Sequence, residues 1–282
     1  MRTVKEYDLV PLTPGPPGRL RWAFRKVGPL YQVRGVGKYR DLVIEPRWGW
    51  ESLYRMLSSA FGLEEGRGGV EGIEDAVRNR FLKLVEEYAR ERIGYREAFN
   101  VYGRGRILPH RYDPLKPAEL PAVGDEIGTP VEVLWLRYLL HIMGYDVDDY
   151  EEPPEGAFRL KFYEEPEEEV WKLAYVIHSG MFGWGDVGFL VNTPYLFEEY
   201  VGNRFGGRRV GDMEWDIRPD FVLKDGTPMD AKYKVHPTRS DVYQAFTYAT
   251  LLGKERAVLV YPMVEERDIR LGDVLIEVRA AF

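Results

Sequence analysis

Apolar and polar positions alternate in short runs between residues 19 and 46, in RLRWAF, PLYQVRGV and RDLVIEP, with Gly and Lys between them. A period of two over so few residues predicts the strands of a small antiparallel sheet. The period changes at Trp48. From there to Phe61, the side chains Leu53, Met56, Leu57 and Phe61 fall on one helical face, and Gly62 closes the helix. A glycine-rich turn at residues 66–69 leads into the clearest helix, roughly residues 70–93. Its apolar stripe of Ile73, Val77, Phe81, Leu84, Val85 and Tyr88 suits a core or a partner face.

Residues 100–126 are rich in Pro, Gly and charge and read as an irregular connector. Residues 129–143 read as a helix with Leu134, Tyr138 and Ile142 on one face. Acidic runs follow at residues 146–155 and 164–169. Both read as solvated surface, the second opening a helix to His178 with glutamates at its positive end. After a loop at residues 180–188, TPYLFEEYVGNRF predicts a helix capped by Thr193 with Pro194 at its first position. Residues 216–223 and 228–234 predict two strands joined by a two-residue turn at Asp225 and Gly226. DVYQAFTYATLLG predicts a helix from about Ser240 to Gly253. RAVLVYP and residues 274–278 predict two further strands. From Leu196 the order through RAVLVYP is therefore helix, strand, strand, helix, strand, with residues 274–278 following.

Composition narrows the chemistry. The 282 residues include no cysteine, which excludes disulfides, thiolate metal sites, iron-sulfur clusters and cysteine nucleophiles. Four histidines form no HxH or HExxH pair, so oxygen ligands and Mg²⁺ or Mn²⁺ are favoured over zinc. His178 and His236 stand alone and read as structural or exposed. The net charge of −7 is unevenly spread: residues 1–110 hold 20 Lys and Arg against 14 Asp and Glu, and residues 111–170 hold 5 against 16. A basic surface on the first segment is thus compatible with the acidic total. With no apolar leader in MRTVKEYDLV and no window of 18 apolar residues, an intracellular, cytoplasmic protein without a membrane partner is expected.

Charges on the predicted hairpin then stand out. Asp220 follows Pro219, and Asp230 lies ten residues on, across the turn, so the hairpin can bring two carboxylates together. Such proximity is unfavourable without a cation or a proton. Lys232 shares the face of Asp230, while Ala231 points the other way and offers a backbone carbonyl. Glu198 on the preceding helix can complete an oxygen cage, and Gln244 and Tyr248 lie four apart on the following helix.

These phrases resemble a known family. IRPDFVL, DAKYK, DVYQAFTYA and VLVYP are similar to the catalytic core of the PD-(D/E)xK nuclease superfamily, and in particular to the McrC family, the nuclease subunit of modified-cytosine restriction systems. YLFEEYV is similar to that family's L-F-E-x-F/Y-V segment, which places the functional glutamate at Glu198 rather than Glu199. RDLVIEPRWGWESLYRMLSSAFG resembles its N-terminal strand and helix, with Arg47 where lysine is commoner. YREAFNVYGRGRI resembles a tyrosine-containing helix leading into a G-R-I/L element. The resemblance implies Glu198, Asp220 and Asp230 as metal-binding acids with the Ala231 carbonyl beside them, Lys232 as the catalytic lysine, and Gln244 and Tyr248 as supporting residues. It also implies Mg²⁺, DNA as substrate and an McrB-like AAA+ GTPase motor as partner. This chain holds no GxxxxGK[ST] motor signature of its own.

The expected fold is an α+β N-terminal region followed by an α/β PD-(D/E)xK restriction-endonuclease-like core, a central mixed sheet flanked by helices. The expected division is a partner-docking region at 1–110, an acidic helical connector at 111–190 and the nuclease core at 191–282. The function expected is a metal-dependent endonuclease subunit of a motor-driven restriction complex. Its rivals are a stand-alone repair or resolvase-like nuclease and a non-cutting, GTPase-activating scaffold.

Overall fold

The alternating runs near the amino terminus build two sheets rather than one antiparallel sheet. In the computed structural model, which describes residues 1–63, 69–92, 94–100, 106–107, 122–165, 168–181, 188–210 and 218–282, RLRWAF is mostly a 3-10 turn at Gly18–Leu20 and becomes a strand only at Phe24. Strands β1 (Arg2–Lys5), β2 (Leu9–Val10), β3 (Phe24–Val27), β4 (Leu30–Val33), β5 (Val36–Tyr39) and β6 (Leu42–Glu45) follow in order. β2, β4 and β3 form one antiparallel sheet. β6 pairs antiparallel with β5 but parallel with β1. Alternation marks each strand but says nothing about its partner, so the split was not visible. One core joins the sheets: Val10, Leu20, Phe24, Val33, Tyr39, Leu42 and Ile44 are all buried together.

Helix α1 (Gly49–Phe61) buries Leu53, Met56, Leu57 and Phe61 and ends at Gly62 in the left-handed region, as its period predicts. Helix α2 (Gly69–Arg92) buries its whole predicted stripe. The turn expected at residues 66–69 lies largely outside the described residues. The chain divides into two compact units, one of Met1–Val77 with Ser179–Phe282, the other of Arg78–His178. The boundaries expected at 110 and 190 track composition, whereas this division tracks spatial contact. No helix among the described residues is long and apolar enough to cross a membrane.

In the second unit, residues 94–100, read from resemblance as helical, form strand β7 (Gly94–Asn100). It pairs antiparallel along its length with β9 (Ala122–Gly128), which also pairs with β8 (Arg106–Ile107). Aromatics at alternate positions, Tyr95 and Phe99, suit a strand as well as a helix, and pairing decides the outcome. The rest of the expected connector, 101–105 and 108–121, lies outside the described residues. Helix α3 (Val131–Ile142) buries Val133, Leu136, Tyr138, Leu139 and Leu140, so its inward face is rotated from the expected Leu134 and Ile142. Helices α4 (Ala157–Glu164), which the pattern did not predict, and α5 (Glu169–Val176) pack around Trp171. That ring is fully buried, edge-on to Tyr88 at 5.2 Å, and its Nε1 donates to Glu165 at 3.0 Å. The acidic run at 164–169 is therefore not merely solvated: Glu165 also accepts from Lys161 and Glu168 from Arg92, each within 3.1 Å, and Glu169 pairs with Arg80.

The first unit resumes with β10 (Leu190–Val191), paired to β5, and α6 (Thr193–Phe205). The loop expected at 180–188 lies mostly outside the described residues. The cap of α6 is Asn192, whose side chain accepts from the Tyr195 N–H, one residue before the expected Thr193. Thr193 is committed elsewhere. Its hydroxyl donates to Glu6, a carboxyl 3 % exposed just beyond β1, which also accepts from the Arg47 N–H at 3.2 Å and the Tyr233 hydroxyl at 3.0 Å. This carboxyl ties the N-terminal sheet to the later half of the unit.

A six-stranded mixed sheet follows, in the order β11 (Arg208–Arg209), β12 (Phe221–Val222), β13 (Pro228–Ala231), β14 (Arg256–Tyr261), β16 (Val274–Ala280) and β15 (Arg267–Leu271). β15, which the pattern did not predict, closes one edge antiparallel to β16. β13, β14 and β16 run parallel. Ala245 and Ala249 of α7 (Arg239–Leu251) pack with Ala257, Leu259 and Tyr261 of β14. On the opposite face, Gly202 of α6 lies against the Phe221 ring and Gly207 against Met229. Helices thus flank the sheet on both sides. The strand expected over 216–223 is observed only at Phe221–Val222, and residues 216 and 217 lie outside the described part. The turn is one residue longer than expected: Leu223 N–H bonds to the Thr227 carbonyl, leaving Lys224, Asp225 and Gly226 as a three-residue loop with Gly226 left-handed.

Two predictions follow from this packing. Gly to Ala within a helix ordinarily stabilises by up to about 1 kcal/mol, but a Cβ on Gly202 would lie 2.5 Å from the Phe221 ring. Gly202→Ala is therefore expected to destabilise by roughly 1–3 kcal/mol through overpacking, read by urea denaturation; an unchanged or raised midpoint contradicts the packing. Burial raises the Glu6 carboxyl above its ordinary value of 4.5, against the hydrogen bonds from Thr193, Arg47 and Tyr233. A raised folded-state value means that stability is greatest below 4.5 and falls as pH rises through the folded value. Glu6→Gln is expected to remove that decline in denaturation midpoints measured from pH 4 upward, and an identical pH slope in the variant contradicts it.

Candidate metal and phosphodiester centre

The register of β12 and β13 sets the centre. Phe221 faces Met229 and Val222 faces Pro228 across an antiparallel pair, so the next step outward places Asp220 opposite Asp230. The Ala231 N–H donates to Asp220 Oδ2 at 2.8 Å, closing the same end of the hairpin. Asp230 is paired in register with Leu259 and so lies on the face that α7 covers. It is 2 % exposed, while Asp220 is half-buried.

Two carboxylates are thereby brought together away from water. Burial, then the neighbouring Asp230 charge and hydrogen bond, then Glu198, push the Asp220 carboxyl up to about 8, against the pull of the Ala231 N–H. Like charges about 4 Å apart repel by roughly 4 kcal/mol at an effective dielectric near 20. That exceeds the net worth of an ordinary hydrogen bond, about 1 kcal/mol. The pair must hold a proton or be offset by a cation.

Lys232 supplies part of the offset. Its ammonium lies against Asp230 Oδ2, an ion pair without hydrogen-bond alignment, and donates to Gln244 Oε1 at 2.9 Å. Gln244 in turn donates to the Tyr248 hydroxyl at 2.6 Å. A chain of contacts therefore runs Asp230, Lys232, Gln244, Tyr248, joining β13 to α7. Asp230 Oδ2 is fully buried and has no hydrogen-bond partner. The Lys232 ammonium is the cation that faces this oxygen, so a divalent ion bound there would take the lysine's place.

Glu198 stands apart from the aspartates. It lies 3.8 Å from Arg209 on β11, while Glu199 beside it is 7 % exposed and also pairs with Arg209. Burial raises the Glu198 carboxyl, Arg209 and Lys232 lower it, and Glu199 and Asp230 raise it further. Among the described residues no three His, Asp or Glu side chains converge closely enough to form a metal cage. The structure thus brings together Asp220, Asp230, Lys232, Gln244 and Tyr248 and leaves Glu198 near them but turned to an arginine. Ala231 contributes its N–H to Asp220. The donor set nonetheless fits a divalent ion: four carboxyls, Glu198, Glu199, Asp220 and Asp230, stand against two cations, Lys232 and Arg209, an excess of negative charge that a further cation would offset.

Three participants escaped the sequence reading. Asp241 accepts from Lys234 at 2.6 Å and Tyr261 at 3.0 Å while forming the capping box of α7 with Thr238. Burial pushes its carboxyl up, but those bonds hold it below its ordinary value. A Thr-x-x-Asp spacing before an apolar run is a readable signal for such a cap. Arg209 and Glu199 pair across ten residues, and no local pattern announces them. Strand β13 also ends at Ala231, so Lys234 leaves the face of Lys232 and turns to Asp241.

No protein-family model and no curated protein matches this chain. Among solved structures it is similar to a refined half-complex from a tetradecameric assembly of Thermococcus gammatolerans McrB AAA+ hexamers with bound McrC, at 16 % identity and a TM-score of 0.47, over 92 % of this chain and 80 % of that one. It is also similar to a cryo-electron microscopy structure of the Thermococcus gammatolerans McrBC complex, at 12 % identity and a TM-score of 0.35, over 89 % and 98 % of the two chains. The chemistry of the centre therefore rests on the residues themselves.

Proposed function

We propose that the chain is a metal-dependent DNA endonuclease, the cutting subunit of an McrBC-like, GTPase-driven restriction complex that acts on modified DNA. The observation that carries the chemistry is the apposition of Asp220 and Asp230 across the hairpin, with Lys232 at Asp230. The resemblance of IRPDFVL, DAKYK and DVYQAFTYA to the McrC family supports the motor partner and the DNA substrate.

Asp220, Asp230 and Glu198, with the Ala231 carbonyl, would hold Mg²⁺ or Mn²⁺. Such an ion, when bound, supplies Lewis-acid polarisation of a phosphoryl oxygen and lowers the pKa of water. The remaining work belongs to the chain. Asp230, shielded from solvent, provides acceptor oxygens once Lys232 moves off Oδ2. Lys232, steered by Gln244, carries a positive charge to the place where a scissile phosphate gains negative charge. Tyr248 fixes the Gln244 amide. For Glu198 to join the aspartates it must give up Arg209, so a change that draws Arg209 away, such as a backbone phosphate arriving, completes the acid set. A second reading, a DNA-binding scaffold that does not cut, draws on the same separation of Glu198 from the aspartates.

Cleavage of modified and unmodified DNA with Mg²⁺, with and without the partner GTPase and GTP, decides between them. Asp230→Asn is expected to lower cleavage by about 10³-fold or more and Lys232→Met by about 10²-fold. Full cleavage by purified Asp230→Asn contradicts the assignment, and an inert wild type in the complete complex favours the scaffold. Metal binding has a readout apart from activity. At 100 times its dissociation constant a ligand stabilises the native state by about 2.7 kcal/mol, so Mn²⁺ is expected to raise the melting temperature of the wild type and not of Asp230→Asn. Equal shifts in both place the ion elsewhere.

A further inference from the structure

A cavity of about 720 Å³ opens beside the segment that follows Lys232. Its wall carries Tyr7, Trp22, Arg34, Arg47, Lys234 and His236; among the described residues no carboxylate lines it, although the buried Glu6 carboxyl accepts from the Arg47 N–H and the Tyr233 hydroxyl behind that wall. Lys234 is committed to Asp241. Arg34 and Arg47 form no salt bridge among the described residues, and Arg34 Nε is buried without a hydrogen-bond partner. The Arg47 guanidinium stacks over the Tyr7 ring at 4.5 Å.

The aromatic wall is pre-set. Trp22 is held by its Nε1 donating to the Ser179 carbonyl at 3.2 Å, and Gly35 leaves no room for a Cβ beside the indole. Tyr7 has φ 75°, a conformation rare for a residue with a Cβ. Backbone strain of this kind persists only where the surrounding structure over-determines it, and it clusters at ligand sites. A volume of this size suits a single small ligand, and guanidiniums without a salt bridge among the described residues, beside a fixed indole, suit a phosphate joined to a flat ring.

We propose that this cavity takes one nucleotide, its phosphate against Arg34 and Arg47 and its base against Trp22. The proposal rests on the reading of the chain as acting on DNA, and it extends that reading: Lys234 and His236 lie two and four residues beyond Lys232, so a strand cut at the carboxylate centre has a holding site for a nearby unpaired nucleotide. A free nucleotide offers the same chemistry.

The test is fluorescence anisotropy with a labelled ten-nucleotide single strand and the full chain in EDTA, which separates binding from cleavage. Arg34→Gln and Arg47→Gln are each expected to weaken binding about tenfold and to reduce the slope of log K against log salt by about 0.7. Trp22→Leu is expected to weaken it by a similar factor, and an abasic strand to lose that sensitivity. Competition with a deoxynucleoside monophosphate separates the sources: displacement shows that a free nucleotide suffices, its failure shows that a strand is required, and both support the site. Wild-type affinity in both arginine variants, no binding by the wild type, or equal displacement by inorganic phosphate overturns it. Arg47 is exposed, so its variant decides the matter if Arg34→Gln fails to fold. Failure here leaves cleavage by the Asp220 and Asp230 centre standing, whereas failure of the centre shows as full cleavage by Asp230→Asn.

Discussion

Everything at the centre depends on two carboxyls being forced together by strand register. Phe221 opposite Met229 fixes Asp220 opposite Asp230, and because side chains alternate in a strand, a slip of one residue would send Asp230 to the other face. The packing that prevents such a slip is apolar. Phe221 and Met229 are buried against Gly202 and Gly207 on one side, and Leu259 lies beside Asp230 under α7 on the other. Hydrophobic burial holds a polar arrangement that would separate by itself. The raised Asp220 carboxyl and the buried Asp230 oxygen held against Lys232 are the two marks of that constraint.

The same unit is bound to the N-terminal sheet by another buried carboxyl. Glu6 gathers donors from α6, from the start of the segment before α1, and from Tyr233 just beyond Lys232. Tyr233 also packs edge-on against Trp48 at 4.5 Å. A chain position 227 residues from Tyr233 therefore helps to place the residue next to Lys232. The first strands are thus part of the frame of the centre, and the cavity beside it is walled from both parts of the sequence.

Short-range signals were legible and long-range ones were not. The helical stripes at residues 53–61 and 73–88, the glycine stop at Gly62 and the Asp220 to Asp230 hairpin arise from local periodicity and turn chemistry, and each stands in the structure. The parallel pairing of β1 with β6, the Arg209 contact with Glu198 and Glu199, and the use of Thr193 for Glu6 instead of for capping join residues distant in sequence or compete for one side chain. The resemblance also misjudged residues 94–100, whose strand exists through its pairing with β9. The four-residue spacing of Gln244 and Tyr248 put them on one helical face but named no partner on β13, and the Lys232 contact to Gln244 at 2.9 Å is such a partner.

The most direct measurement of the central claim is an anomalous-scattering map from crystals of this chain soaked in Mn²⁺. The account predicts a peak between the Asp220 and Asp230 carboxyls, with the Lys232 ammonium drawn away from Asp230 Oδ2. A map with no peak there, and Lys232 still against Asp230 at saturating metal, would contradict it.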